Sequence, residues 1–127
     1  RFAESKAVYR RLLSQADVVV STANHEFFGI AMVEGLAAGA TPLVPNRLAY
    51  PEVIANVSQD VDFPAEFSSL LYGQTVDELV EHLKLASAKL EELRALAPSL
   101  QNAANRFHWP NQSKILDAAL ESLACRM

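Results

Sequence analysis

"DVVVSTANHEFFGIAMVEGLAAGATPLVP", from Asp17 to Pro45, is the stretch on which the fold turns. Asp17 to Ser21 is a short β-branched run, apolar on both faces, the pattern of a parallel strand covered by helices on each side. A loop, Thr22 to Phe28, follows. From Gly29 the apolar period becomes helical through Ile30, Val33, Leu36 and Ala37. Gly39 can supply the left-handed geometry that ends a helix. Thr41 to Pro45 then reads as a second short strand, completing a strand, a helix and a strand.

The pattern continues outward in both directions. Upstream, Val8, Leu12, Leu13 and Ala16 recur at helical spacing and leave Arg10, Arg11 and Gln15 to solvent, predicting a helix that ends near Ala16. Downstream, "YPEVIA" predicts a short helix with Pro51 at its first position, and "SQDVDFPAEF" a loop. "SSLLY" reads as a third strand, with Gly73 as a turn. Thr75-Val76-Asp77-Glu78 fits a capping box before a long helix, "LVEHLKLASAKLEELRAL". Pro98 breaks or kinks that helix, "SLQNAANRF" resumes it, and Trp109 and Pro110 open a final helix. Helices alternating with short buried strands predict an α/β fold: one Rossmann-like parallel sheet with helices on both faces, occupying residues 1–127 as one domain.

Half of the 127 residues are hydrophobic, enough to fill one core. Eleven basic and fifteen acidic residues give a formal net charge of −4, so the chain lacks the positive field of a nucleic-acid-binding surface. An RNA partner would be held by other parts of the protein. Cys125 is the only cysteine, which excludes an internal disulfide and any Cys-x-x-Cys motif and points to the cytoplasm. The most apolar stretch, Gly29 to Pro45, is interrupted by Glu34 and falls short of the roughly 20 residues of a membrane helix, so no membrane association is expected. Asn56-Val57-Ser58 and Asn111-Gln112-Ser113 match glycosylation triplets by chance. The chain opens on "RFAESKAVYRR", without an initiator methionine and as if in mid-helix, which suggests part of a larger protein.

Ligands of open parallel sheets bind beyond the carboxyl ends of the strands. That rule gathers Ser21, Thr22, the loop bearing His25 and Glu26, and the helix start at Gly29 around one crevice. A helix N-terminus offers unpaired N–H groups and about half a positive charge, so the amides near Phe28 and Gly29 suit a phosphate, with Gly29 permitting close approach. Glu26 in the loop and Glu34 more than a turn into the helix can accept hydrogen bonds from hydroxyls on opposite sides of it. A nucleotide sugar has hydroxyls on both sides of its diphosphate.

Glu26-Phe27-Phe28-Gly29 with Glu34 resembles the E-x7-E signature of retaining GT-B glycosyltransferases, usually E-G-F-G-x-x-x-x-E. "EGLAAGATPLV" is similar to that family's E-A-x-x-x-G-x-P-x-V segment, "YPEVI" to its P-E-V element, and "NRFHWPNQSKIL" to its closing R-F-S-W helix. These four blocks, in the family's order, cover most of the chain. "HEFFGIAMVE", the Gly39 to Pro42 spacing and "LAYPE" resemble the tRNA-queuosine mannosyltransferase group more closely. The general family has a glycine where Phe27 stands and one fewer residue between Gly39 and Pro42.

The resemblance implies a donor-binding C-terminal domain whose first glutamate, Glu26, contacts donor-sugar hydroxyls as the catalytic residue. It implies further that Glu34 holds the ribose and that the backbone of Phe28 and Gly29 meets the diphosphate. His25, Ile30, Pro51 and Glu52 complete the expected donor site. GDP-mannose is the implied donor and a queuosine-bearing tRNA the implied acceptor, with no cofactor and no metal. The family's diphosphate-clamping Arg and Lys belong to an upstream strand and loop, and Arg47, Lys6 and Arg10 do not fit that motif. The acceptor-binding N-terminal domain is also absent, so the chain alone is expected to be inactive.

Plainer readings stand beside several of these. At least one of Phe27 and Phe28 is expected in the core, and a lone histidine such as His25 is more often structural or exposed. Gly35 and Gly39 suit close helix-to-strand packing and capping. Asp60-Val61-Asp62 has the metal-binding form D-x-D of another glycosyltransferase fold, but it lies outside the crevice and reads as a solvated loop. Trp109 is expected to pin the last helix onto the core. Two alternative functions are a nucleotide-sugar epimerase of similar architecture and a noncatalytic Rossmann-like interaction module.

Overall fold

The computed structural model describes residues 4–25, 28–67, 71–73 and 75–126. Helix α1 (Lys6–Ser14) leads into strand β1 (Val18–Val20), α2 (Ile30–Ala37), β2 (Thr41–Pro45), α3 (Tyr50–Val57) and β3 (Leu71–Tyr72). The remainder is helical: α4 (Val76–Ala88), α5 (Leu90–Ala95), α6 (Ala97–Ala104) and α7 (Trp109–Ala124), with 3-10 turns at Ala65–Phe67 and Asn105–Phe107. The three strands are parallel in the order β1-β2-β3, with Val19 beside Pro42 and Val44 beside Leu71. The predicted Rossmann-like α/β sheet is what forms.

The central strand explains the architecture. All five residues of β2 are buried, and because successive side chains point to opposite faces, both faces of the sheet are covered there. Leu43 and Val44 join Met32 of α2, Tyr50 and Ile54 of α3, and Ala86 and Leu93 of α4 and α5 in one core cluster. A second cluster joins α2, α3 and α6 through Leu36, Val53, Val57 and Leu100. β1 departs from the expected pattern: among the described residues it borders β2 alone, and Val20 is left exposed at its end.

Glycines set the closest approach in this layer. A Cβ at Gly35 would lie 2.7 Å from Val19 Cγ1, so the missing side chain lets α2 settle directly on β1. Gly39, at φ +91°, ends α2 as expected. Its N–H donates to Leu36 O and that of Ala40 to Gly35 O, the paired bonds of a Schellman cap. Thr75 caps α4 through Glu78 N–H donating to its Oγ1 at 3.3 Å.

Two expectations need correction. The long helix after Thr75 breaks at Lys89 (φ −118°, ψ 24°), nine residues before Pro98, and Pro98 then sits in the first turn of α6, where proline is tolerated. Trp109 does not pin α7 to the core: it is 68% exposed, and no described residue of α7 is buried. The reason is that α7 leans chiefly on the Asn105–Phe107 turn rather than on the sheet layer.

Candidate functional site

The carboxyl ends of the three strands meet at one residue. Ser21, directly after β1, donates its N–H to Leu43 O and so extends the pairing with β2. Its Oγ accepts from Ala23 N–H at 3.2 Å and lies 2.7 Å from Tyr50 Oη. The Tyr72 hydroxyl, at the end of β3, donates to Ser21 O at 2.6 Å. Burial raises the pKa of the Tyr72 phenol, while the nearby Arg47 charge opposes that rise. Two tyrosines from separate segments therefore brace the start of the β1–α2 loop.

Tyr50 also sets where α2 begins. A Cβ at Gly29 would come 2.9 Å from Tyr50 Cε1, and Gly29 sits at φ +80°, so both space and backbone favour glycine there. Gly29 is the N-cap of α2, no side chain caps that end, and no acidic residue lies in the first turn. Among the described residues, no side chain therefore neutralises the amides and positive end of the helix dipole.

Glu34 stands exposed in the second turn, and its Oε2 accepts a hydrogen bond of 2.6 Å from the Tyr9 hydroxyl of α1. That bond, with some burial and the carboxylate's charge, raises the pKa of Tyr9. Glu34 opens onto a groove of about 700 Å³ between α1, α2 and α6, which Lys6, Tyr9, Arg10 and Gln101 also line.

The expected donor-site residues do not all share that groove. Phe28 and Glu52 line a second one, of about 590 Å³, with Asn56, Arg106 and Trp109. Phe28 is largely exposed and meets Phe107 edge to face, the ring centroids 6.1 Å apart. Pro51 and Glu52 occupy the first turn of α3, where an acidic side chain suits the helix dipole. His25 and Ile30 are exposed beside the loop and the start of α2. Glu26 and Phe27 lie outside the described residues. Asp60 pairs with Arg106. Among the described residues no cluster of three His, Cys, Asp or Glu side chains is arranged to hold a metal ion.

Tyr9, Tyr50, Tyr72 and Arg47 were not among the expected site residues. Tyr50 falls inside the "LAYPE" block, but its contact with Ser21 spans 29 positions and leaves no local signal. Tyr9 is separated from Glu34 by 25.

No family model and no solved structure matches the chain. Among the described residues, no helix is long and apolar enough to cross a membrane. A curated relative does match: over 45 residues the chain is 51% identical to the tRNA-queuosine alpha-mannosyltransferase of Drosophila melanogaster. The matched stretch is 35% of this chain and 12% of that relative, so the chain spans only a small part of the relative's length. Over that stretch the chain is homologous to a glycosyltransferase, and its parallel α/β sheet is consistent with a GT-B C-terminal domain.

Proposed function

We propose that residues 1–127 are the donor-binding C-terminal domain of a retaining GT-B glycosyltransferase, which transfers mannose from GDP-mannose to a queuosine-bearing tRNA. The observation that carries this reading is the 51% identity with a mannosyltransferase. The uncapped start of α2 at the strand ends supports it, because the backbone amides there suit a diphosphate.

In this reading the diphosphate faces the amides at Phe28, Gly29 and Ile30, and Glu34 holds the ribose. Tyr9 occupies Oε2 of Glu34, which leaves Oε1 to accept from a ribose hydroxyl. Glu26, helped by His25, contacts the sugar hydroxyls, and Pro51 with Glu52 shapes the neighbouring loop. The acceptor hydroxyl attacks on the face from which the diphosphate leaves and passes its proton to the departing phosphate. The domain thus contributes positioning and electrostatic stabilisation. The tRNA and its acceptor domain belong to the rest of the protein, and the chain by itself is inactive.

Titration of the isotope-labelled chain with GDP-mannose, against UDP-glucose, tests this. Selective shifts at the amides of Phe28, Gly29 and Glu34 are expected with GDP-mannose. Replacing Glu34 by Gln should weaken that binding about tenfold, the effect of losing a charge-assisted hydrogen bond. Equal responses to both nucleotide sugars would remove the mannose assignment, and no response at millimolar ligand would remove the donor-site reading. Turnover by the purified chain would contradict the division of labour.

A further inference from the structure

Arg47 differs from the other arginines fixed in this structure. Arg94 forks onto Asp17 and also meets Glu91. Arg106 meets Asp60 and Gln59. Arg47 has no carboxylate partner among the described residues. Its Nε donates to Ala23 O at 3.1 Å, and no described residue accepts from its two terminal nitrogens. Yet it is half-buried, where an arginine fork ordinarily finds an acceptor.

Its placement says what kind of acceptor is missing. Arg47 follows β2 at the carboxyl edge of the sheet, and Ala23, which anchors its Nε, lies in the β1–α2 loop that leads to Gly29. The backbone holding it is fixed. Asn46 N–H donates to Tyr72 O at 2.7 Å and Arg47 N–H to Pro45 O at 2.8 Å. The next residue, Leu48, takes φ +60°, a left-handed conformation costly for a non-glycine residue. One bond at Nε orients the guanidinium and leaves four N–H donors in a planar fork, the geometry that matches phosphate oxygens bidentately.

We infer that Arg47 binds a phosphoryl group of the donor's diphosphate, closing from the β2 side the anion site that the start of α2 opens from the other. The inference rests on the donor-site reading above and adds to it a basic residue within this chain. It reconciles the proposed anion site with a chain of net negative charge: a guanidinium with no carboxylate partner among the described residues, at the sheet edge and near a helix N-terminus, concentrates positive potential locally.

Inorganic pyrophosphate and GDP-mannose are the probes, used with the chain labelled in its arginine side chains. Pyrophosphate should shift the side-chain nitrogens of Arg47 in the unmutated protein, a readout that does not depend on any variant folding. Replacing Arg47 by Gln should weaken pyrophosphate and GDP-mannose at least about tenfold. Replacing Arg11 by Gln, the same change of charge on the exposed side of α1, should leave both within about twofold once screened by salt. If GDP-mannose shifts the Gly29 and Glu34 amides while Arg47 stays silent, or if R11Q loses as much affinity as R47Q, the role of Arg47 is overturned and the donor site stands. No response to either probe overturns both.

Discussion

The β1-α2-β2 unit and the C-terminal helix α7 both carry apolar residues at helical or strand spacing, yet the two end up in opposite environments. Leu36 and Leu43 are fully buried, whereas Ile115, Leu120 and Leu123 of α7 are each more than half exposed. Leu36 faces α3 and α6, and Leu43 lies in a strand covered on both sides. Helix α7 meets chiefly one short turn. An apolar stripe commits a helix to having a partner but does not say which surface supplies it.

That contrast predicts a graded set of outcomes. Leu36→Ala should cost about 3 kcal/mol through lost burial and a cavity, whereas Leu120→Ala should stay within about 0.5 kcal/mol; urea unfolding of both variants measures the difference. Equal losses would show that α7 packs as tightly as the sheet layer. Gly35→Ala should cost about 2 kcal/mol, because the new methyl meets Val19 before anything flexible can yield. Thr41, fully buried in β2, has a hydroxyl with no hydrogen-bond partner among the described residues. Thr41→Val should therefore stabilise the chain by about 1 kcal/mol, measured as a raised urea midpoint.

The smallest expected effect is electrostatic. Arg94, by hydrogen bonding first and by its charge, holds the Asp17 carboxyl below its ordinary range at the entrance to β1. A depressed folded-state pKa means stability that is present above the unfolded pKa and lost as pH falls through the folded one. Asp17→Asn should remove that small contribution near neutrality and flatten the acid limb, so that variant and parent converge as pH falls below the ordinary aspartate range. Because the pair is open to solvent, added salt should shrink even that difference.

Much of the fold is legible along the chain because its signals are local. The β-branched run at Val18 to Val20, the cap glycine at Gly39, and Thr75 with Glu78 each act within a few residues of themselves. The break at Lys89 carries no proline or glycine to announce it. The exposure of Trp109 is equally silent, because its aromatic character predicts burial whether or not a partner is at hand. The candidate site divides in the same way. Glu34 and Gly29 are marked by their place in the strand-loop-helix motif. Tyr9, Tyr50 and Tyr72 reach their partners across 25, 29 and 51 positions, distances that only the folded sheet brings together.

The contact between Gly35 and Val19 has an evolutionary consequence. With 2.7 Å between a would-be Cβ and the valine methyl, the two positions share a single fixed volume. In descendants of this chain a side chain gained at position 35 must be matched by one shortened at position 19, so the pair should drift together or not at all. Gly35→Ala combined with Val19→Ala is thus the step by which this helix can change its sequence while keeping its distance from the sheet.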